Sequence, residues 1–472
     1  MVFSSATFLI VFLPITIALY YLFGVAITKS TVVKNFILLI ASLVFYAWGE
    51  PVYIILMMIS ICFNFFIGKD IDQSKRMNNR AKAKMLFIAA IIFNIGVLGF
   101  FKYSNFLIDN ITNITGLGIR PLNLPLPVGI SFYTFQILSY IIDLYNGNIR
   151  AQRRFLSFAL YVSLFPQLIA GPIVKYKDIA DQLVYRKEDL SSFSKGVNRF
   201  VFGLSKKLIL ANTLGSVYAS VQEAGADNMS MLTAWVGIIC YTLQIYFDFS
   251  GYSDMAIGLG GMFGFNFCEN FNYPYIAMSI TDFWRRWHMS LSSWFRDYVY
   301  IPLGGNRCKV PRVILNLLIV WLLTGFWHGA SWNFLLWGLY YGILLILEKY
   351  LLAGLINKMP KPLRWIITII CVMVGWVLFS APSLSEAFSY IGAMFGYAVS
   401  FADSFGAFIL FTNLVLIIIG SICATPVYAF LSGIFKGEKF SKIMAVVTPV
   451  LFILCIVFMI SETYNPFLYF RF

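Results

Sequence analysis

Apolar runs long enough to cross a bilayer recur along nearly the whole of this chain. A hydrocarbon core of about 30 Å needs roughly 20 apolar residues as a helix, and stretches such as 36–48 and 365–379 are apolar on almost every side. A β-barrel would instead show segments of about ten residues with alternating character. Lipid offers the backbone no hydrogen-bond partner, so each spanning segment must satisfy its own amides as a helix. The fold class is therefore an all-α integral membrane protein, with roughly ten to twelve spanning helices at the length a bilayer demands. Of the 472 residues 60% are hydrophobic and 12% charged, and the mean hydropathy is +0.80, an apolar excess that excludes a water-soluble domain. Neither a linker nor an internal repeat divides the chain, and 1–472 reads as a single polytopic domain. The seven cysteines lie singly, with no spacing for a disulfide framework or a metal site.

The formal net charge of +14 does not indicate a nucleic-acid partner, because Lys and Arg in a membrane protein collect in cytoplasmic loops and set orientation. The run 6–22 has no basic region before it and reads as the first spanning helix. The basic segment 69–84 is placed in the cytoplasm, 85–101 leads outward, 102–125 reads as an exterior loop, and 128–145 returns to Arg150, Arg153 and Arg154. Parity then fails, since 155–173 is followed by the basic stretch 175–199, which includes Arg186 and Arg199. Pro166, Gly171 and Pro172 break that run, so it reads as a re-entrant segment lining an internal chamber. Residues 200–220 cross outward to an acidic loop around Glu223 and Asp227, and 232–249 return. From Asp248 to Arg312 the pattern predicts no spanning helix. Its first part is Gly-rich with short apolar runs, and its Trp- and Arg-rich part fits helices lying at, or dipping below, the cytoplasmic interface. Residues 313–327 and 333–350 form a tight hairpin, 362–380 exit, 408–430 return to Lys436, Lys439 and Lys442, and 444–460 exit again.

The chain has two histidines, His288 and His328. An ionisable residue in or beside membrane segments is costly and marks function by default. His328 falls at the hairpin turn, where Gly325, Gly329 and Ala330 leave room for a second group to approach. Its imidazole can take a proton from a hydroxyl and return one to a leaving thiolate; a buried histidine held by a carbonyl is the alternative. His288 stands in FWRRWHMS, where Arg285 and Arg286 favour its neutral form. Arg285, Arg286, Arg296 and Arg307 suit the phosphates of a coenzyme, or are ordinary positive-inside decoration. The carboxylates Asp248, Asp254 and Glu348 orient a histidine, pair with arginines, or cap helix breaks. Two isolated histidines carry no metal-ligand spacing, and no G-x-S-x-G elbow accompanies Ser331.

These segments resemble the membrane-bound O-acyltransferase family, in its bacterial polysaccharide O-acetylation branch. The resemblance rests on MVFSSATFLIVFLP, VGISFYTFQILSYIIDLYNG, LFPQLIAGPIVKY, QIYFDFSGYSDMAIGLGGMFGFNF, TDFWRRWHMSLSSWFRDYVYIPLGGNR, TGFWHGASWNFLLWGLYYG and YNPFLYFRF, and it covers essentially the whole chain. It implies spanning and re-entrant helices around a central funnel, with His328 of the WHG motif catalytic and His288 the second functional position. It also implies a bacterial plasma-membrane enzyme with no permanently bound cofactor. The donor would be a cytoplasmic thioester, acetyl-CoA or a carrier, and the acyl group would pass to an extracytoplasmic polysaccharide or a partner acyltransferase. D-alanyl transfer to teichoic acid from a carrier-protein thioester is the rival within the family, and a transporter with substrate sites in broken helices the rival outside it. One tension is visible: the loop charges put His328 at the outer end of its hairpin, whereas a cytoplasmic donor must reach it.

Overall fold

The computed structural model describes residues 1–122, 124–225, 229–397, 400–435 and 437–461. Asp227, Lys436 and the YNPFLYFRF ending lie outside the described residues. The helices are α1 (Thr7–Ile27), α2 (Thr31–Gly49), α3 (Tyr53–Arg76), α4 (Arg80–Thr115), α5 (Ile130–Asn146), α6 (Phe155–Ser163), α7 (Phe165–Leu168), α8 (Tyr176–Val184), α9 (Leu190–Ser205), α10 (Asn212–Glu223) and α11 (Met231–Met262). They continue with α12 (Ile280–Arg286), α13 (Met289–Phe295), α14 (Val310–His328), α15 (Trp332–Ile356), α16 (Lys361–Ser380), α17 (Leu384–Met394), α18 (Ser404–Cys423), α19 (Val427–Ile434) and α20 (Glu438–Ser461). Among the described residues 10 of these are long and apolar enough to cross a membrane: α1 to α4, α11, α14 to α16, α18 and α20. Contacts divide the chain into two compact units, Met1–Phe200 with Ser253–Cys268, and Val201–Tyr252 with Glu269–Phe472.

The first unit is built on aromatic packing among Phe3, Phe8, Phe45 and Phe165, with ring centroids 5.0 to 6.4 Å apart. The segment 155–173 forms only the short helices α6 and α7, wholly buried from Ser157 to Val174. An amide freed by this break is met by a side chain: Phe165 N donates to Ser42 Oγ at 3.1 Å. Arg186, read from sequence only as one of a run of cytoplasmic cations, is buried. Its Nε donates to Tyr20 Oη at 2.9 Å and its Nη1 to Asn35 Oδ1 at 2.7 Å, while Glu188 takes Lys34 at 2.7 Å. A lone buried guanidinium is costly, and this network makes burial tolerable.

Two boundary expectations are corrected. Residues 102–125 are not all loop, because α4 runs through Lys102 to Thr115 and stops at Gly116, whose φ of 71° suits a glycine cap. The sparse charge of that stretch hid a helix whose 36 residues exceed what the bilayer needs. The Gly-rich stretch after Asp248 is likewise helical, as α11 continues to Met262. Its glycines serve close packing against α9 rather than breaking the helix. A Cβ on Gly258 would come within 2.6 Å of Gly196 O, and one on Gly251 within 2.7 Å of Gly203 O. Residues 128–145 and 200–220 are helical as expected, in α5 and in α9 to α10 with the π-helical link Lys206–Ala211, but neither is among the helices that meet the spanning criterion.

In the second unit the hairpin α14–α15 is tightly paired. Side chains at Gly325 and Gly338 would strike Phe334 O and Trp321 O across the pair. The room that Gly325 and Gly329 leave is therefore filled by α15: a Cβ on Gly329 would run into the Phe334 ring. Basic residues Arg307, Lys309 and Arg312 flank the start of α14 and Lys349 and Lys358 the far end of α15. His328 lies at the opposite end of the hairpin.

Candidate active site

Between α11 and α14 the chain makes a short helical hairpin whose arms enter and leave at the basic end of α14–α15. The entering arm, α12, starts where Glu348 accepts the amides of Ile280 at 2.7 Å and Thr281 at 3.2 Å, with Ser279 Oγ accepting Asp282 N at 3.1 Å. Halfway along, Trp284 packs on Trp321 at 4.6 Å and Tyr341 at 4.9 Å. At the tip, the His288 ring lies 6.2 Å from that of Trp327, the neighbour of His328. The return arm, α13, leads back to residues that hold the basic end: Asn316 Nδ2 donates to Leu303 O at 3.2 Å, and Lys349 Nζ to Asn306 Oδ1 at 2.7 Å. Sequence pattern anticipated helices dipping from the interface; the dip carries His288 to the level of the α14–α15 turn.

His288 is 1% exposed and has φ 44°, a left-handed backbone uncommon for a residue with a side chain. Such a conformation costs on the order of 1–3 kcal/mol and is held by its surroundings. Here Met289 N donates to Asn270 O at 3.0 Å and Ser292 N to His288 O at 3.1 Å. The ring meets Phe249 edge-on at 4.7 Å and places Nδ1 3.0 Å from Asn270 Oδ1. Burial pushes the imidazole down to about 3, so the ring is neutral. The neutral form was expected from Arg285 and Arg286, but the physical cause is desolvation: Arg285 is exposed and Arg286 is paired with Asp282 at 2.9 Å.

His328 ends α14 and is 4% exposed. Its ring stands nearly perpendicular to Trp327 and Trp337, each at 5.0 Å, and to Phe379 at 5.4 Å. The indole Nε1 of Trp337 is buried with no hydrogen-bond partner among the described residues. Of the roles open to the three carboxylates, ion pairing and helix capping are the ones seen. Asp248 pairs with buried Lys207, Asp254 with Arg199 at 2.9 Å, and Glu348 caps α12. Arg296 and Arg307 are exposed, Arg296 beside Asp297 at 2.9 Å. No group of three or more His, Cys, Asp or Glu that could hold a metal occurs among the described residues.

This geometry, a rare histidine at the turn of a spanning hairpin with a second brought to the adjoining Trp327 on a dipping hairpin, lies within residues 149–391, which match MBOAT, the membrane-bound O-acyltransferase family. The chain belongs to this family. It is 40% identical to the probable alginate O-acetylase of Pseudomonas putida over 100% of both chains. It is 44% identical to that of Pseudomonas aeruginosa over 84% of this chain and 75% of the relative. A peptidoglycan O-acetyltransferase of Helicobacter pylori is 37% identical over 84% of this chain and 80% of its own length. The protein is thus a multi-pass membrane O-acyltransferase.

For this O-acyltransferase, sequence reasoning singled out both histidines but not their neighbours Asn270, Trp337 and Phe379. Asn270 lies in an irregular stretch 18 residues before His288, and no local spacing connects the two. Trp337 and Phe379 read as ordinary lipid-span aromatics, and only the fold turns them toward His328.

Proposed function

We propose that this enzyme takes an acetyl group from acetyl-CoA on the cytoplasmic side of a bacterial plasma membrane and delivers it for O-acetylation of an extracytoplasmic polysaccharide, directly or through a partner acyltransferase. The observation that carries the reading is that His288, on a hairpin entering from the basic end, meets the Trp327–His328 turn at the opposite end of α14. In this reading a cytoplasmic donor and an outer acceptor address one deep site, and the placing of His288 beside that turn supports it.

In this mechanism His328 is the general base. It takes the proton of the acceptor hydroxyl as the oxygen adds to the thioester carbonyl. The tetrahedral oxyanion then collapses, the C–S bond breaks, and the thiolate leaves with the proton returned by the imidazolium. The imidazolium forms at the C-terminal end of α14, where unpaired helix carbonyls favour positive charge. His288, neutral and only weakly basic, serves as hydrogen-bond acceptor to the substrates rather than as proton store. The buried indole N–H of Trp337 is a donor for the oxyanion. Arg285, Arg286 and Arg296, on the arms of the hairpin, are the cations offered to the phosphates of the coenzyme.

The reading is tested with radiolabelled acetyl-CoA added to sealed vesicles whose cytoplasmic face is outward, comparing wild type with His328→Ala at matched folded expression. Label reaching the polysaccharide or partner-protein fraction inside, and only with wild type, supports it. Label transferred only from a D-alanyl carrier-protein thioester would replace acetyl with D-alanyl transfer, and undiminished transfer by His328→Ala would remove the base.

A further inference from the structure

We infer that Asn270 is a positioning residue that fixes the proton of His288 on Nδ1 and thereby presents the Nε2 lone pair as the working atom of the ring. The inference deepens the role given to His288 above and rests on that reading. Ser290 N lies 3.2 Å from Asn270 Oδ1, and a backbone N–H can only donate, so the carboxamide atom at that place is the oxygen. Ser290 Oγ donates to the same oxygen at 2.9 Å. A carboxamide oxygen only accepts, so His288 Nδ1, 3.0 Å from it, must carry the proton. In a neutral imidazole this leaves the lone pair on Nε2.

The stretch that presents Asn270 is itself tied to the hairpin tip from both sides. Met289 N donates to Asn270 O at 3.0 Å and Asn272 N to Arg286 O at 2.9 Å. The carboxamide and the left-handed turn at His288 therefore form one rigid unit, with ring orientation and tautomer set by a residue that touches no substrate. A histidine whose second nitrogen is held this way faces its substrate as an acceptor, able to take the N–H or O–H of a bound group without being protonated itself.

Because the chain has 2 histidines, protein grown with ¹⁵N-histidine shows two rings by nuclear magnetic resonance, and His328→Gln assigns the remaining one. The expected result is a His288 ring with its proton on Nδ1 and an unprotonated Nε2. In Asn270→Leu the proton redistributes between the nitrogens and acetyl transfer falls about ten- to a hundredfold, as for loss of other groups that orient an imidazole. Asn270→Asp, whose carboxylate also accepts from Nδ1, restores the tautomer and transfer to within about threefold of wild type. Ser290→Ala, which removes a neighbour of the network but not the bond to the ring, leaves both unchanged. A wild-type proton on Nε2, an Asn270→Leu ring and rate like wild type, or a Ser290→Ala loss equal to that of Asn270→Leu would each overturn the assignment. Should Asn270→Leu not fold, the wild-type spectrum still decides. Wild-type transfer by His328→Gln would instead refute the general-base reading and leave the tautomer result standing.

Discussion

The two histidines both flank Trp327 yet are held in opposite ways. His288 occupies a strained left-handed turn at the tip of a dipping hairpin, with one ring nitrogen anchored to Asn270 at 3.0 Å. His328 ends a regular spanning helix, and its ring is bounded by the faces and edges of Trp327, Trp337 and Phe379. The first arrangement fixes a tautomer and keeps the ring neutral; the second stands at a helix carbonyl end, where a transient positive charge is tolerated. The difference teaches that rarity marks both residues, but it is the partner set that gives each a different chemical environment.

The largest effect should come from replacing His328, the residue proposed as base. His328→Gln is expected to lower acetyl transfer about a hundred- to ten-thousandfold with the thermal unfolding profile kept, as measured by labelled acetyl transfer in proteoliposomes. His288→Asn keeps a side chain that tolerates the left-handed backbone and removes only the ring. It should cost about ten- to a hundredfold, and a loss equal to that of His328→Gln would erase the division of labour. Glu348→Leu strips the acceptor from Ile280 N and Thr281 N at the entrance to the hairpin. Unfolding in detergent should then show about 1–3 kcal/mol of lost stability, while Glu438→Leu, on an exposed pair with Lys442, should show almost none.

A pH dependence follows from the same burial. The His288 ring is lowered from 6.5 to about 3 by burial, so between those values the unfolded chain binds the proton and the folded one does not. Stability attributable to His288 therefore rises with pH through that window, and is lost on acidification by up to about 1.4 kcal/mol per pH unit. Above the unfolded value the contribution is constant. Comparing thermal unfolding of wild type and His288→Asn at about pH 5 and about pH 7 should show a shallower loss in the variant; equal slopes would mean that His288 is not buried neutral.

Much of the fold was legible because lipid imposes a simple rule, and runs such as 365–379 obey it within single segments. The hairpin around His328 was readable for the same reason. What escaped depends on partners far apart in sequence. The glycines of α11 looked like breakers until Gly196 and Gly203 of α9 were seen against them. Arg186 looked like a loop cation until Tyr20, Asn35 and Glu188 enclosed it. The neutrality of His288 was anticipated, but from neighbouring charges, whereas desolvation supplies it. Composition and periodicity report which segments meet lipid; they do not report which polar groups meet each other.

The central claim, that the two histidines serve one step with His328 as its base, is tested most directly by single-turnover acetyl transfer from acetyl-CoA. Wild type, His328→Gln, His288→Asn and the double variant would be compared in proteoliposomes at equal folded protein. Residues acting as a unit are not additive, so the account predicts a double variant about as slow as His328→Gln alone, with His288→Asn intermediate. A His328→Gln enzyme that transfers at the wild-type rate would contradict it.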